Sequence, residues 1–290
     1  MSRLCAGFFN ELKLSRISYI HEGMKLTSWN INSVRLRAPL LAEVAKHIGS
    51  DVICLQETKT PDEHFPHDEI EAMGFKHRAF TGMKSYNGVA ILSKYPLEDV
   101  RVEHRCENAD CRHIAARVVK DGKEIFDLHN IYIPAGGYEP DPVANNKFKH
   151  KLDFVDELTE WFPKHHKKTE NVVVVGDLNI APLENDVWDH KKMLKVVSHT
   201  PIEVEKFKAF QDSMDWCDSA REFVSPDEKL YTWWSYRAKD WAAADKGRRL
   251  DHIWVTQPLK KHLKAHSVLK DARGWERPSD HAPLTTEFDI

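Results

Sequence analysis

The stretch from Asn171 to Ile180, NVVVVGDLNI, decides how the rest of the chain is read. Its four consecutive β-branched valines predict a strand buried on both faces. Gly176 then frees the backbone, and Asp177 and Asn179 follow at the strand's carboxyl end, where parallel and mixed sheets place their chemistry. A carboxylate and an amide two residues apart can point the same way, one taking a proton or a metal ion, the other hydrogen-bonding an oxygen. A turn closed by Asx side chains would use the same residues, so the remaining chain must choose between the two.

Upstream, KLTSWNINSVR reads as a strand that starts at Met24 and ends in Asn30, Asn32 and Arg35. Residues 38–48 carry apolar positions at helical spacing, and DVICLQETK gives a second buried strand ending in Gln56 and Glu57. Strands follow at 87–93, 114–119 and 124–133, the last two joined at Asp121-Gly122 and the last ending in NIYIPAGG, which carries Tyr132. Residues 145–162 form a long amphipathic helix that leads through the basic linker Lys164–Lys168 into the valine strand. Downstream come a helix at 203–214, an aromatic strand TWWSYR and the strand RRLDHIWVT with Asp251 near its start. The chain closes with RPSDHAPLTTEFDI, a loop bearing Asp280 and His281 ahead of an edge-like strand. This alternation predicts a mixed α/β protein with two apolar sheets and covering helices. No linker divides it, so residues 24–290 read as one catalytic domain, with residues 1–23 as a dispensable extension.

Composition excludes several function classes. No apolar run approaches the roughly 18 residues of a membrane span, and residues 1–23 have neither an apolar signal core nor a small-residue cleavage site. The five irregularly spaced cysteines point to a reducing, cytoplasmic setting. A net charge of −3 argues against a globally basic nucleic-acid binder, although 42 Lys and Arg leave room for a local basic face. Six of the nine tryptophans lie from Trp216 onward, a bias that bulk composition does not explain.

Polar residues thus stand at equivalent strand ends and loops: Asn30, Glu57, Tyr132, Asp177 with Asn179, and Asp251 with Asp280 and His281. Glu57 directly after VICL is costly to bury without a partner, either a metal ion or a salt-bridging cation. Carboxylates and amides together favour a hard cation, Mg²⁺ with Mn²⁺ as substitute, over structural zinc. A second group, His104, Cys106, Cys111 and His113, offers soft ligands, but its C-x₄-C spacing is not the usual zinc knuckle and free thiols are the simpler reading. Trp233, Trp234, Tyr236, Arg237, Arg248 and Arg249 suit stacking on bases or sugars and clamping of phosphates. Trp254, on a buried strand, reads as core.

Taken in order, WNINSVR, LQETK, NGVAILSK, YIPAGG, GDLNIAP, TWWSYR, RLDHIWVT and RPSDHAP make the chain from Met24 onward resemble the exonuclease III branch of the endonuclease/exonuclease/phosphatase superfamily. The resemblance implies a four-layered α/β sandwich of two facing mixed sheets covered by helices. It implies Mg²⁺-dependent cleavage of duplex DNA 5′ to abasic sites, with 3′-to-5′ exonuclease and 3′-phosphatase or phosphodiesterase action, by a monomeric cytoplasmic protein of bacterial type. Glu57 resembles the main metal carboxylate, with Asn30 and Asp280 nearby and Asp177, Asn179 and His281 completing the ligand set. Asp177 would deprotonate the attacking water, Asn179 would hold a phosphate oxygen, and His281, oriented by Asp251, would contact the scissile phosphate beside Tyr132. Arg112, Trp233 and Arg249 would contact DNA, Trp233 by lining the abasic-sugar pocket. Ala135 departs from members that carry glutamine there.

In-line hydrolysis builds negative charge on the phosphoryl and leaving oxygens, which a metal and neutral or cationic donors can offset. Asp177 is expected to be ionised near neutral pH unless strongly perturbed. Two other readings share much of this pattern: another phosphodiesterase or phosphatase of the superfamily, of the DNase, phosphoinositide or sphingomyelin type, and a non-catalytic DNA-binding module.

Overall fold

The computed structural model describes residues 23–290. The expected extension, residues 1–23, lies outside this range apart from Gly23. The chain opens with β1 (Met24–Asn30), α1 (Ala38–Ile48) and β2 (Val52–Gln56), then α2 (His67–Ala72), β3 (His77–Met83) and β4 (Tyr86–Ser93). A meander of β5 (Leu97–Arg105), β6 (Asn108–Lys120) and β7 (Lys123–Tyr132) leads through α3 (Asn146–His165) to β8 (Val172–Asp177). After α4 (His190–Met193) and α5 (Pro201–Ser213) come β9 (Cys217–Asp218), β10 (Trp233–Trp234), β11 (Gly247–Arg248), β12 (Asp251–Val255), β13 (Leu263–Val268) and β14 (Leu284–Phe288).

Two six-stranded mixed sheets result, ordered β13-β14-β1-β2-β4-β3 and β5-β6-β7-β8-β12-β9. Each contains one parallel pair, β1 with β2 and β7 with β8, and each pair is joined by a helical crossover, as parallel neighbours require. Register places Asn30 beside Gln56 and Tyr132 beside Asp177, so the carboxyl ends of both pairs carry site residues. Antiparallel β12 starts with Asp251 opposite Asp177.

The four valines show how burial builds the layers. Val173 and Val175 join Leu26, Cys54, Ile91, Leu284 and Ile253 in the core between the sheets. Val172 and Val174 pack with Phe154, Leu158, Phe162 and Phe207 of α3 and α5 on the outer face. Leu41 and Val44 of α1 and Ile70 of α2 cover Ile53, Leu55 and Leu92 on the other outer face. The order helix, sheet, sheet, helix is the expected four-layered sandwich. Full burial of each valine is worth about 1.5–3 kcal/mol. Gly176 is the one position in β8 that cannot carry a side chain: its φ is 144° and an added Cβ would lie 1.8 Å from the Ile131 carbonyl oxygen. Beneath the site the sheets are pinned by a buried amide pair. Gln56 Nε2 donates to Asn130 Oδ1 (2.7 Å), and Asn130 Nδ2 donates to the Leu55 and Ala90 carbonyls (2.9 and 2.8 Å).

The C-terminal strand is not an edge. β14 lies between β13 and β1, where its apolar residues reach the core between the sheets. Of the four edge strands, β3, β5 and β13 carry charged, half-exposed residues and show little apolar patterning, and the fourth, β9, is only two residues long. TWWSYR forms only the two-residue β10, paired with β11, because its tryptophans pack against side chains rather than continuing a sheet.

Candidate active site

The two parallel pairs bring their polar ends together at one mouth of the sandwich. Asn30 Nδ2 donates both to Glu57 Oε1 (3.0 Å) and to Asp177 Oδ2 (2.9 Å), joining the sheets across the site. The Tyr132 hydroxyl donates to Glu57 Oε1 (2.8 Å), and Lys59 Nζ pairs with Glu57 Oε2 (2.6 Å). Glu57 and Asn179 both leave their strands with left-handed backbones, φ 52° and 54°, a strain of order 1–3 kcal/mol each that persists where surroundings enforce it. The Asn179 amide N–H returns to Asp177 Oδ1 (3.1 Å), and its side chain donates to the Ile133 carbonyl (3.0 Å). The local Asx contact and the shared site therefore coexist.

His281 arrives from the loop before β14. Its Nδ1 donates to Asp251 Oδ2 (2.8 Å), and its Nε2 lies 3.6 Å from Asp177 Oδ2. Burial alone would lower the His281 pKa, but the Asp251 and Asp177 carboxylates raise it to about 10, so it is an imidazolium at neutral pH. Burial raises Asp177 to about 7, with Asp251 and Glu57 adding to the rise against His281 and the Asn30 hydrogen bond. Asp177 is thus not simply ionised near neutral pH; it is poised there. Glu57 moves the other way: desolvation would raise it, but Lys59 and hydrogen bonds from Asn30 and Tyr132 lower it. The Tyr132 phenol is pushed well up by burial and by the Glu57 and Asp177 charges, so it remains a donor.

Asp280 is held apart from these carboxylates, accepting from Trp233 Nε1 (3.0 Å) and Asn32 Nδ2 (3.2 Å). Lys59 also donates to Asn32 Oδ1 (2.7 Å), linking Asp280 to Glu57 through two side chains. Glu57, Tyr132, Asp177, Asn179, Trp233, Asp280 and His281 all face one cavity of about 580 Å³. Asn30 sits just behind it. The donor set of carboxylate and amide oxygens suits a hard divalent cation at Glu57, Asn30 and Asp177. Asp251 Oδ1 is buried with no hydrogen-bond partner among the described residues, a further sign of uncompensated negative charge. His281, with Asp177 and Asp251, offers ligand atoms within 4.8 Å of one another, and its Nε2 would coordinate only after giving up its proton.

Arg249 is the clear correction among the DNA-contact residues. It is 1% exposed, with Nη2 on Asp218 Oδ2 (2.6 Å) and Nε near Asp186 Oδ1 (3.1 Å), so two buried carboxylates hold it away from any DNA. Its neighbour Arg248 lines the cavity instead, with its guanidinium 5.0 Å from the Trp233 ring. Consecutive strand residues point to opposite faces, and the sequence does not say which faces in. Arg112 stacks on Tyr132 at 4.7 Å and is paired with Asp110. Trp254 is core, as expected.

The HRCENADCRH segment forms no soft-metal site. Cys106 and Cys111 are free thiols, and among the described residues its cysteines and histidines do not converge on a common point. Sequence reasoning missed Trp188, Tyr138 and Lys246 as cavity walls; they lie on loops with no periodic signal.

Comparison with known proteins agrees with this geometry. The sequence pattern of the Endonuclease/Exonuclease/phosphatase family matches residues 27–281. Exodeoxyribonuclease III of Haemophilus influenzae is 31% identical over 273 residues, covering 91% of this chain and 100% of the relative. An AP endonuclease from Archaeoglobus fulgidus superposes with a TM-score of 0.84 at 30% identity, covering 92% of this chain and 100% of that one. A 3′ phosphatase from Neisseria, bound to product DNA hairpin, gives 0.82 at 33% identity with the same coverage. The protein is a nuclease and a hydrolase, and it belongs to the exonuclease III branch of the Endonuclease/Exonuclease/phosphatase family.

Proposed function

We propose that this nuclease is a Mg²⁺-dependent DNA-repair phosphodiesterase. Its substrates are duplexes carrying abasic sites, cut on the 5′ side, and recessed or blocked 3′ ends, from which it removes nucleotides, phosphates or phosphodiester remnants. The catalytic unit runs from Met24 to Ile290 as a monomer in the cytoplasm, and residues 2–23 are dispensable. The observation that carries this reading is the arrangement of His281 and Asp177 on one cavity floor. One is a fixed cation, the other a carboxyl group poised near pH 7.

A base poised near ambient pH balances being ionised against proton-accepting strength. Asp177 takes the proton of the attacking water, its carboxylate aimed by Asn30 and by the Asn179 N–H. The His281 imidazolium, held by Asp251, stabilises the charge that grows on the phosphoryl oxygens. Asn179 and Tyr132 border the same space as neutral donors. Glu57, with Asn30 beside it, would hold the metal ion, which when bound screens the phosphate and lowers the pKa of water. Trp233, with Arg248 over its ring, forms the wall against which a baseless sugar or terminal nucleotide rests.

The test is turnover of three duplexes (abasic site, recessed 3′ end, 3′-phosphate) with Mg²⁺ and then with chelator. Activity on all three that chelator abolishes is expected. Activity that survives chelation, or hydrolysis of phosphoinositide or sphingomyelin in its place, would defeat the reading.

A further inference from the structure

Behind the cavity, and absent from its lining, two charged side chains are buried completely. Lys151 on α3 and Glu203 on α5 are each 0% exposed and in direct contact. Lys151 Nζ also donates to the Asn179 carbonyl (2.7 Å) and lies 3.5 Å from the Ala135 carbonyl. Both Glu203 carboxylate oxygens accept from the Ser198 N–H (2.9 Å each), and Oε2 accepts from the Thr200 N–H (3.1 Å) and hydroxyl (2.7 Å).

This one pair therefore grips three separate loops: those after β7, after β8 and before α5. Each loop places a residue against the cavity, namely Ala135, Asn179 and Ser198. The grip extends further, because Arg248 Nη1 donates to Ser198 Oγ (3.0 Å) and the Val197 carbonyl (3.2 Å) while its guanidinium covers Trp233. Gly136 leaves no slack: an added Cβ would lie 2.9 Å from Lys151 Cδ and 3.1 Å from Val197 Cγ1.

Asn179 shows what the grip is for. Its backbone is left-handed, a conformation that asparagine tolerates better than most residues, and here both of its backbone polar groups are fixed. Its N–H is held by Asp177 and its carbonyl by Lys151. Buried ion pairs are weak devices for stability, since well-packed apolar residues of the same volume often replace them without loss. They are strong devices for orientation, because a charge in low dielectric tolerates few alternative partners. We infer that the Lys151–Glu203 pair is the positioning element of this active site, clamping the loops of Ala135, Asn179 and Ser198 in the geometry that the reaction needs. Neither residue touches substrate; both act through Asn179 and the Ser198–Arg248–Trp233 wall. The inference deepens the proposed repair function and rests on it.

The decisive variant is the double substitution Lys151→Met with Glu203→Leu, which removes both charges and keeps most of the volume. Folding is followed by thermal denaturation. Binding-competent sites are counted by titration with the abasic duplex in chelator, so that kcat refers to folded protein. Hydrogen exchange is measured on residues 133–137, 178–181 and 196–200. The variant is expected to fold with a lowered melting temperature, because the Ser198 N–H and the Thr200 N–H and hydroxyl lose a buried acceptor, with unchanged binding stoichiometry, kcat per site at least about 30-fold lower and faster exchange in the three loops but not in β8. A folded double variant with natural kcat, or with unchanged exchange in those loops, overturns the inference. Should it fail to fold, Glu203→Gln tests the same clamp: it keeps the shape and one acceptor oxygen but loses the charge and the second acceptor, and a smaller drop in kcat with loosened loops is expected. A Glu203→Gln protein with natural kcat and natural exchange also overturns it. If the natural protein cuts none of the three duplexes, the repair function falls, and the exchange measurement still decides whether the pair clamps the loops.

Discussion

Two clusters of aspartate and histidine lie among the described residues: Asp177, Asp251 and His281 at the cavity, and Asp127, His129 and His166 on the outer face of the second sheet. In composition they are nearly alike, but the histidine is a cation in the first and neutral in the second. His281 is cationic because Asp251 has no competing partner and sits at hydrogen-bond distance. Asp127 is instead taken by Arg101, with Nη2 at 2.7 Å from both its oxygens, and His129 Nε2 stays 3.8 Å away. Burial then lowers the His129 pKa well below its ordinary value, and His113, His166 and the two arginines lower it further.

Proton placement sharpens the contrast. Arg105 Nη2 can only donate to His113 Nδ1 (3.0 Å), so the His113 proton lies on Nε2 and is donated to His129 Nδ1 (2.9 Å). His129 keeps its own proton on Nε2, which has no hydrogen-bond partner among the described residues. A metal ion would need a lone pair where this cluster presents a proton. An acid-and-histidine grouping therefore has no fixed chemistry, because the nearest guanidinium decides it.

The largest expected effect is a pair of matched substitutions. Asp251→Asn should lower kcat by about 10³-fold with DNA affinity nearly unchanged, since the loss is in transition-state contacts. His281→Ala should cost a similar amount, and the double variant far less than the product of the two. Asp127→Asn should leave kcat within about twofold, being remote from the cavity. Steady-state kinetics on the abasic duplex decide it, and fully multiplicative losses at 251 and 281 would dissolve the pair.

Next in size is Glu57→Gln, which removes the charge that Lys59 and a metal ion share. Activity at low Mg²⁺ should fall at least tenfold and partly return as Mg²⁺ is raised, with folding intact. Unchanged activity at low Mg²⁺ would remove Glu57 from the metal site.

Smaller is the stability cost of Asp127→Asn, which leaves Arg101 without its main partner. This pair is partly exposed, Arg101 at 26% and Asp127 at 11%. Its loss should cost about 1 kcal/mol, or about 2–4 °C in melting temperature. Calorimetry that finds no shift would mean the pair does not set the cluster's state.

The most gradual effect, spread over a pH range, is the acid response. His113, His129 and His166 all have lowered pKa values, chiefly through burial, so the unfolded chain binds their protons first. Stability should be complete above the ordinary histidine value of 6.5 and be lost as pH falls below it. Each neutral histidine adds about 1.4 kcal/mol per pH unit to that slope. His129→Gln should flatten the slope measured by denaturant titration between pH 6.5 and 5. An equally steep slope would show that His129 is protonated in the native protein.

Much of the fold is legible because its central strands are buried on both faces. The valines of β8 and the VICL of β2 allow no other reading, and the polar residues that end them are conspicuous by contrast. Three of the four edge strands, β3, β5 and β13, are not legible, since an edge strand needs no apolar pattern. LTTEF, short and part polar, reads as an edge, yet β14 is interior. Its Thr285 and Thr286 are buried, their hydroxyls paired with Thr27 and Ser219. The aspartate and histidine of the site are recognisable from their motifs as a pair thirty residues apart in the chain, and the structure brings them to 2.8 Å.

The periodicity of the layers, the strand ends that carry polar groups and the family pattern across them follow from the sequence alone, because they depend on local residue order. Three outcomes needed the folded chain: which of two adjacent arginines faces the cavity, in which aspartate–histidine cluster the histidine is a cation, and that Lys151 and Glu203 meet behind Asn179. Those outcomes depend on what lies within a few ångströms across the fold. A buried group takes its charge and its partner from that shell, not from its neighbours along the chain.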